Sequence, residues 1–348
     1  MIRRIGFCCQ WFHHDRTLKK KQLEEIERPM NTRSTTVRWL NEHKDEAEEK
    51  LAFVFKHNID GIKNLIMKAS TLPKSRRMCR ISSPILPVAT QADWRHYWNK
   101  PDVIKYCEKH FAEAGDLARL HDVKISFHPG QFTVLASETP DIVDRSIDEF
   151  EYHVNMARWM GFGKSFQDGC KINVHISGRQ GPAGIIKVLS RLSPEARNLI
   201  TIENDEMCWG LDASLELEKH CALVLDIHHH WVRTGEYLQA TDDRVKRVVD
   251  SWRGVRPTMH YSYSRDEWLT PAYSDVDTMH TGFHDMETLL SKGCKKQKLR
   301  AHSELLPNRA VNEWALSFLP QLDIQVEAKT KNLAAEQLHN QAVELGLV

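Results

Sequence analysis

The sequence predicts a (β/α)8 barrel, and three observations carry that prediction. Short apolar runs recur along the 348 residues, helical stretches separate them, and most of the runs end on a histidine or an acid. Bounded apolar runs of this length read as buried strands, and their alternation with helices implies a parallel sheet. In a closed parallel barrel the strands share one direction, so their ends share one rim. The polar endings are His128 in KISFH, His175 in INVH, Glu203 in LITIE, Asp226 in ALVLD, His260 in PTMH and Glu327 in DIQVE. Imidazoles and carboxylates gathered round one mouth repel or desolvate one another unless cations hold them. A metal site is therefore expected on that rim.

The elements follow in order. RRIGFCC opens the chain as strand one, a helical stretch runs from about Val37 to His57, and CRISSPIL at 79–86 reads as strand two. A helix over Pro101 to His121 precedes strand three, Val123 to His128. Strands four to seven end at His175, Glu203, Asp226 and His260, with helical segments near 141–160, 184–192, 211–220 and 241–253. Strand eight is Asp323 to Glu327, and Lys331 to Leu345 forms the closing helix. No linker divides the chain, so residues 1–348 are expected to form a single barrel domain, an ordinary length for this architecture.

Composition narrows the class. With 41% hydrophobic residues the chain can bury a sizeable core, and no stretch reaches the ~18 apolar residues of a membrane span. Strand one begins within a few residues of Met1, which leaves no room for a signal peptide. The eight cysteines include the adjacent pair Cys8 and Cys9 but no C-x-x-C, so reduced thiols are expected, with Cys79, Cys170 and Cys221 as small core residues. There is no G-x-G-x-x-G, no P-loop, no G-x-S-x-G and no H-E-x-x-H. Gly161-Phe162-Gly163 follows a helix and reads as its C-terminal cap. P-loop and serine-hydrolase chemistry are poorly supported, which leaves metal chemistry.

Histidine with carboxylate is a donor set for Zn2+ or Mn2+ rather than Ca2+. In Asp226-Ile227-His228-His229-His230-Trp231 the three histidines cannot all face one metal, so at least one is expected to be structural or to support a ligand. His280, in the loop after strand seven, is placed to complete the cluster.

Six motifs, FHPGQF at 127–132, RISSPILP at 80–87, INVHISG at 172–178, TIENDE at 201–206, VLDIHHHW at 224–231 and VEAKTK at 326–331, resemble those of the UV damage endonuclease family in type and order. The resemblance covers the chain from Ile5 to Lys331. It implies a TIM barrel of the xylose isomerase-like, endonuclease IV-like kind, carrying two or three divalent ions, Mn2+ foremost with Zn2+ or Mg2+ as alternatives. It implies His128, His175, Glu203, Asp226, His229, His260, His280 and Glu327 as ligands, with Glu203 bridging two metals and with Glu203, His229, His260 and Glu327 carrying catalysis. Double-stranded DNA with ultraviolet lesions is the implied partner, cut on the 5′ side of the lesion to leave 3′-hydroxyl and 5′-phosphate ends. An abasic-site endonuclease on the same scaffold and a metal-dependent sugar isomerase stay open as alternatives. Neither a membrane nor an obligate protein partner is expected. The expected compartment is the cytoplasm, associated with the nucleoid, in a prokaryote and the nucleus in a eukaryote.

Asn204 and Glu206, just beyond Glu203, read as groups that orient ligands. Net charge is only +1, so DNA contact must come from local clusters: Arg16 with Lys19 to Lys21, Lys74 with Arg76, Arg77 and Arg80, and Lys292 with Lys295, Lys296, Lys298 and Arg300. Of these, Lys295, Lys296 and Lys298 are the expected phosphate contacts. Gln131 and Phe132 place an amide and a ring at a turn beside the metals, a composition suited to probing an unstacked step. The family usually has Gln-Tyr there. Phe7 likewise stands where relatives often carry Tyr and is expected to probe the lesion, and Thr258 stands where they carry a lysine near the metals.

Overall fold

The computed structural model describes residues 2–348. Its strands are β1 (Ile5–Cys8), β2 (Met78–Ile81), β3 (Lys124–Phe127), β4 (Lys171–His175), β5 (Ile200–Glu203), β6 (Ala222–Val224), β7 (Thr258–Tyr261) and β8 (Asp323–Val326). They hydrogen-bond in the order β6-β5-β4-β3-β2-β1-β8-β7, every pair parallel. A parallel bridge between Asp226 and His260 closes the ring across the seam. The predicted barrel is the observed one.

Period two decides what each strand buries. Apolar residues such as Ile125, Phe127, Ile172, Val174, Ile200, Ile202, Met259 and Ile324 are buried in the core between the strands and the surrounding helices. The alternate residues face the barrel axis in layers. Lys124, Lys171 and Asp323 lie lowest, and Arg80, Ser126, Asn173, Thr258 and Gln325 lie above them, below the rim. At the base, the fully buried Asp323 carboxylate accepts hydrogen bonds from the Arg4 backbone N–H at 2.9 Å, Lys124 Nζ at 2.9 Å and Arg256 Nε at 2.6 Å. Buried cations need such a partner, because desolvation costs each several kcal/mol.

Three sequence expectations change in detail. Strand two stops at Ile81, because Ser82 and Ser83 leave the sheet, the Ser82 hydroxyl donating to the Cys9 carbonyl at 2.8 Å. β6 ends at Val224, two residues before Asp226. The histidine run, read from sequence only as unable to face one metal, is a helix, Ile227–Thr234, and the Asp226 carboxylate caps it by accepting from the His229 N–H at 2.7 Å.

Asp323→Ala leaves two cations at the barrel base without their carboxylate. Urea denaturation should show a loss of about 3–5 kcal/mol. An unchanged unfolding midpoint would mean that water already screens this cluster.

Candidate metal centre

Parallel register brings the strand ends to one level: His175 pairs with Glu203, Glu203 with Val224, and Asp226 bridges His260. Three groups of donor atoms converge there, namely His128 with Glu203 and His260, His175 with Glu203 and His229, and Asp226 with His260 and Glu327. Glu203 belongs to two of them. Its Oε1 lies 2.9 Å from His260 Nδ1 and 3.5 Å from His229 Nδ1, while Oε2 lies 3.3 Å from His128 Nε2 and 3.9 Å from His175 Nε2. A carboxylate 0% exposed between four imidazoles has the geometry of a bridging ligand.

The electrostatics fit cations. Burial alone would raise the Glu203 carboxyl, yet His260 foremost among the imidazoles holds it well below the usual range. Burial pushes Asp226 up to about 7 against the pull of His229. Burial also works against charge on His229, but Asp226, Glu203 and Glu206 outweigh it and push the imidazole up to about 10. Asp226 Oδ2 and His175 Nδ1 are buried with no hydrogen-bond partner. Such orphaned donors are costly in a satisfied core and useful to a metal. Borderline imidazoles mixed with hard carboxylates suit Mn2+ or Zn2+.

The ligands are held from behind. His128 Nδ1 contacts the Pro129 carbonyl at 2.8 Å and His229 Nδ1 the Asn204 carbonyl at 3.0 Å, which turns each ring and frees its other nitrogen. The Asn204 side chain donates to the Asp226 carbonyl and accepts from its N–H, both at 2.9 Å, locking the ends of β5 and β6 together. Glu206 Oε2 faces His229 Nε2 at 3.6 Å. Asn173 donates to Glu203 and Arg80 pairs with Glu327. Sequence reasoning missed both roles, although each residue lies on the inward face that strand alternation defines. His302, half-buried beside Glu327 and pushed down to about 4 by desolvation, was missed as well because its segment offers no strand pattern.

Of the eight candidate ligands, seven meet in these groups and His280 does not. Its ring contacts the Tyr263 hydroxyl at 3.4 Å and Asp266 at 3.3 Å, because the Val276–Met279 helix carries it into the loop's own aromatic cluster. Among the three adjacent histidines only His229 faces the centre. His228 lies against the Ser262 hydroxyl at 2.8 Å and His230 against Glu236 at 2.8 Å.

Residues 18–346 match the sequence model described as UV-endonuclease UvdE. The chain belongs to the UV-endonuclease family. A UV DNA damage endonuclease of Bacillus pumilus is 30% identical over 254 residues, which are 69% of this chain and 74% of that protein. The UV-damage endonuclease of Schizosaccharomyces pombe is 27% identical over 199 residues, 54% of this chain and 32% of that longer protein. Among solved structures, the crystal structure of SacUVDE superposes with a TM-score of 0.73 at 19% identity, covering 99% of this chain and all of that one. Endonuclease IV from Thermus thermophilus gives 0.50 at 14% identity over 83% of this chain and 95% of that one. These two likenesses show the barrel fold.

Around this centre the rim loops differ in how they are held. Gly130 to Thr133 form a turn closed by the Thr133 N–H to the Gly130 carbonyl at 2.9 Å, with Gln131 and Phe132 at its tip. Phe132 is 85% exposed. Phe7, by contrast, corrects an expectation: it is 1% exposed and packs edge-on against Trp11 at 5.6 Å between centroids. Alternation explains it, since Gly6 and Cys8 take the inward positions and Phe7 must face the helices. The expected phosphate lysines are partly engaged. Lys296 Nζ donates to the Arg233 carbonyl at 2.5 Å and Lys298 sits over the Trp268 ring at 4.7 Å, which leaves Lys295 exposed. Arg76 and Arg77 lie before β2, at the opposite end of the barrel, paired with Glu336 and with backbone carbonyls.

A metal must displace the proton that His229 holds below about pH 10. At roughly pH 7.5, loading the protein with Mn2+ should therefore release protons, and apparent affinity should rise with pH until that imidazole is neutral. Titration calorimetry in two buffers of different ionisation enthalpy measures the release. Identical heats in both buffers would show that His229 is neutral before the metal arrives. Glu203→Gln should lose bound Mn2+ by elemental analysis while keeping its circular dichroism spectrum.

Proposed function

We propose that this chain, acting as one catalytic unit, nicks DNA immediately 5′ to ultraviolet photoproducts, leaving 3′-hydroxyl and 5′-phosphate ends. The observation that carries the reading is the convergence of three donor groups on the shared carboxylate of Glu203, with an exposed Gln131-Phe132 turn on the same rim. Family membership supports the substrate class.

A phosphodiester is anionic and has a poor leaving group, so its hydrolysis needs charge neutralisation, an ionised water and support for the departing 3′-oxygen. Two or three divalent ions, Mn2+ foremost, would supply all three when bound. The chain's own residues set where that happens. Glu203, His128, His175, Asp226, His229, His260 and Glu327 would hold the ions at the mouth; Asn173 and Arg80 keep the Glu203 and Glu327 carboxylates in place, and Asn204 pins the Asp226 backbone. No side chain is needed as nucleophile. The phosphate then lies over the rim, where the turn at Gln131 and Phe132 can enter the neighbouring stack.

An end-labelled duplex with one defined photodimer tests this. Mn2+ should give a single nick 5′ to the lesion, and excess EDTA should abolish it. An unsaturated 3′ aldehyde would instead mark a lyase, and preferential cutting of a matched abasic duplex would mark an abasic-site endonuclease. Truncating Gln131 and Phe132 together to Ala should remove stacking worth ~1–3 kcal/mol per base and so flatten the damaged-to-undamaged binding ratio. Phe132→Tyr should keep it. If the double truncation binds both duplexes as before, damage is read elsewhere, by how easily the lesion bends.

A further inference from the structure

The crossover between β7 and β8 returns to the rim before it descends. Within it, Ser264 and His302 form an antiparallel bridge, the Arg265 N–H donates to the Ala301 carbonyl at 3.0 Å and the Ser303 N–H to the Tyr263 carbonyl at 2.8 Å. On its other edge the Lys329 N–H donates to the Ser303 carbonyl at 2.9 Å and the Thr330 N–H to the Glu304 carbonyl at 3.1 Å. Residues 300–304 are thus strapped between the chain leaving β7 and the chain leaving β8, beside Glu327. Leu299, fully buried, anchors the entry, and its carbonyl accepts from the Ser264 hydroxyl at 2.6 Å. The backbone that carries Arg300 is thus hydrogen-bonded to its neighbours on both edges.

Arg300 points across the mouth. Its Nε lies 3.1 Å from Glu206 Oε1, and the other oxygen of that carboxylate lies 3.6 Å from His229 Nε2. Glu206 is 7% exposed, whereas the Arg300 side chain is 45% exposed. With the Arg300 side chain this exposed, part of it stays accessible to solvent while its Nε faces Glu206. A surface arginine would carry little weight by that measure. This one is tied to a buried carboxylate that faces a metal-ligand candidate, at a mouth where the carboxylates Glu203, Asp226 and Glu327 stand among imidazoles and Arg80. An anionic phosphodiester approaching those carboxylates needs a cation besides the ions, and a guanidinium presents two parallel donors matched to phosphate oxygens.

We propose that Arg300 contacts the phosphate at the cleavage site, with Glu206 as the tether that aims it. The assignment rests on the nuclease reading above. It differs from a purely structural role, in which Arg300 only neutralises Glu206 and so keeps His229 in place.

Nicking and binding of the photodimer duplex by the full chain separate the two. Arg300→Ala should lower the nicking rate by about a hundredfold, with bound Mn2+ and circular dichroism unchanged. The slope of log affinity against log salt should become shallower by about 0.9, the share of one phosphate, and Arg300→Lys should restore part of both. Combining Arg300→Ala with Glu206→Gln removes the carboxylate that would need neutralising. If Arg300 binds phosphate the double variant stays as slow as Arg300→Ala; recovery of wild-type nicking would overturn the proposal in favour of the structural role. Wild-type nicking by Arg300→Ala itself would overturn it as well. A wild-type chain that cuts no duplex would overturn the nuclease reading, and this inference with it.

Discussion

The structure depends on burying several carboxylates at one barrel mouth and keeping them ionised. Glu203 is fully desolvated, and an isolated carboxylate in that position would take up a proton instead. It stays ionised because His128, His260 and His229 arrive from β3, β7 and the helix after β6, while Asn173 donates from β4. Each partner comes from a different strand-and-loop unit. A slip of one residue in any strand would turn its donor to the helix side and leave a charge uncompensated. The site therefore fixes the register of the barrel as much as the barrel fixes the site.

The interior is arranged as two opposed charge layers. At the base one carboxylate, Asp323, serves Lys124 and Arg256; at the mouth three carboxylates face imidazoles and Arg80. Between them lies a cavity of about 20 Å3 bordered by Arg80, Ser126, Asn173, Thr258 and His260, room for a single water. Thr258 borders it with a short side chain. Gln325, fully buried with both amide atoms unpartnered, pairs in register with His260 at this level. Such unpaired amides are expensive in a dry core, which gives this layer its own claim on a water rather than on closer packing.

Most of the scaffold was legible in the sequence because one signal served two purposes. An apolar run marks a strand, and the polar residue that stops it marks the rim, so His128, His175, Glu203 and His260 were found by the pattern that found β3, β4, β5 and β7. What the pattern lacked was phase within the strand. Phe7 was placed at the mouth although alternation assigns Gly6 and Cys8 to the interior; Asn173 was passed over and Arg80 was read as a DNA contact, although alternation turns both inward, where Arg80 pairs with Glu327. Where no strand repeats, proximity in sequence misleads. His280 follows β7 closely enough to suggest a ligand, yet a short helix folds it onto Tyr263, while His302, farther along, is returned to the rim by the Ser264 bridge. Long-range pairing of that kind leaves no local trace.

Rim segments differ in tethering, and the difference separates two tasks. Donors able to hold ions would have to keep their places to within about an ångström, and here they sit on strand ends, on a capped helix turn at His229 or under a strap hydrogen-bonded on both edges. The Gln131-Phe132 turn is closed by one backbone bond and presents an almost fully exposed ring. An aromatic side chain in water is unfavourable by the apolar area it exposes, so its exposure is a standing cost that only a bound surface relieves. It joins the centre through the Pro129 carbonyl that orients His128.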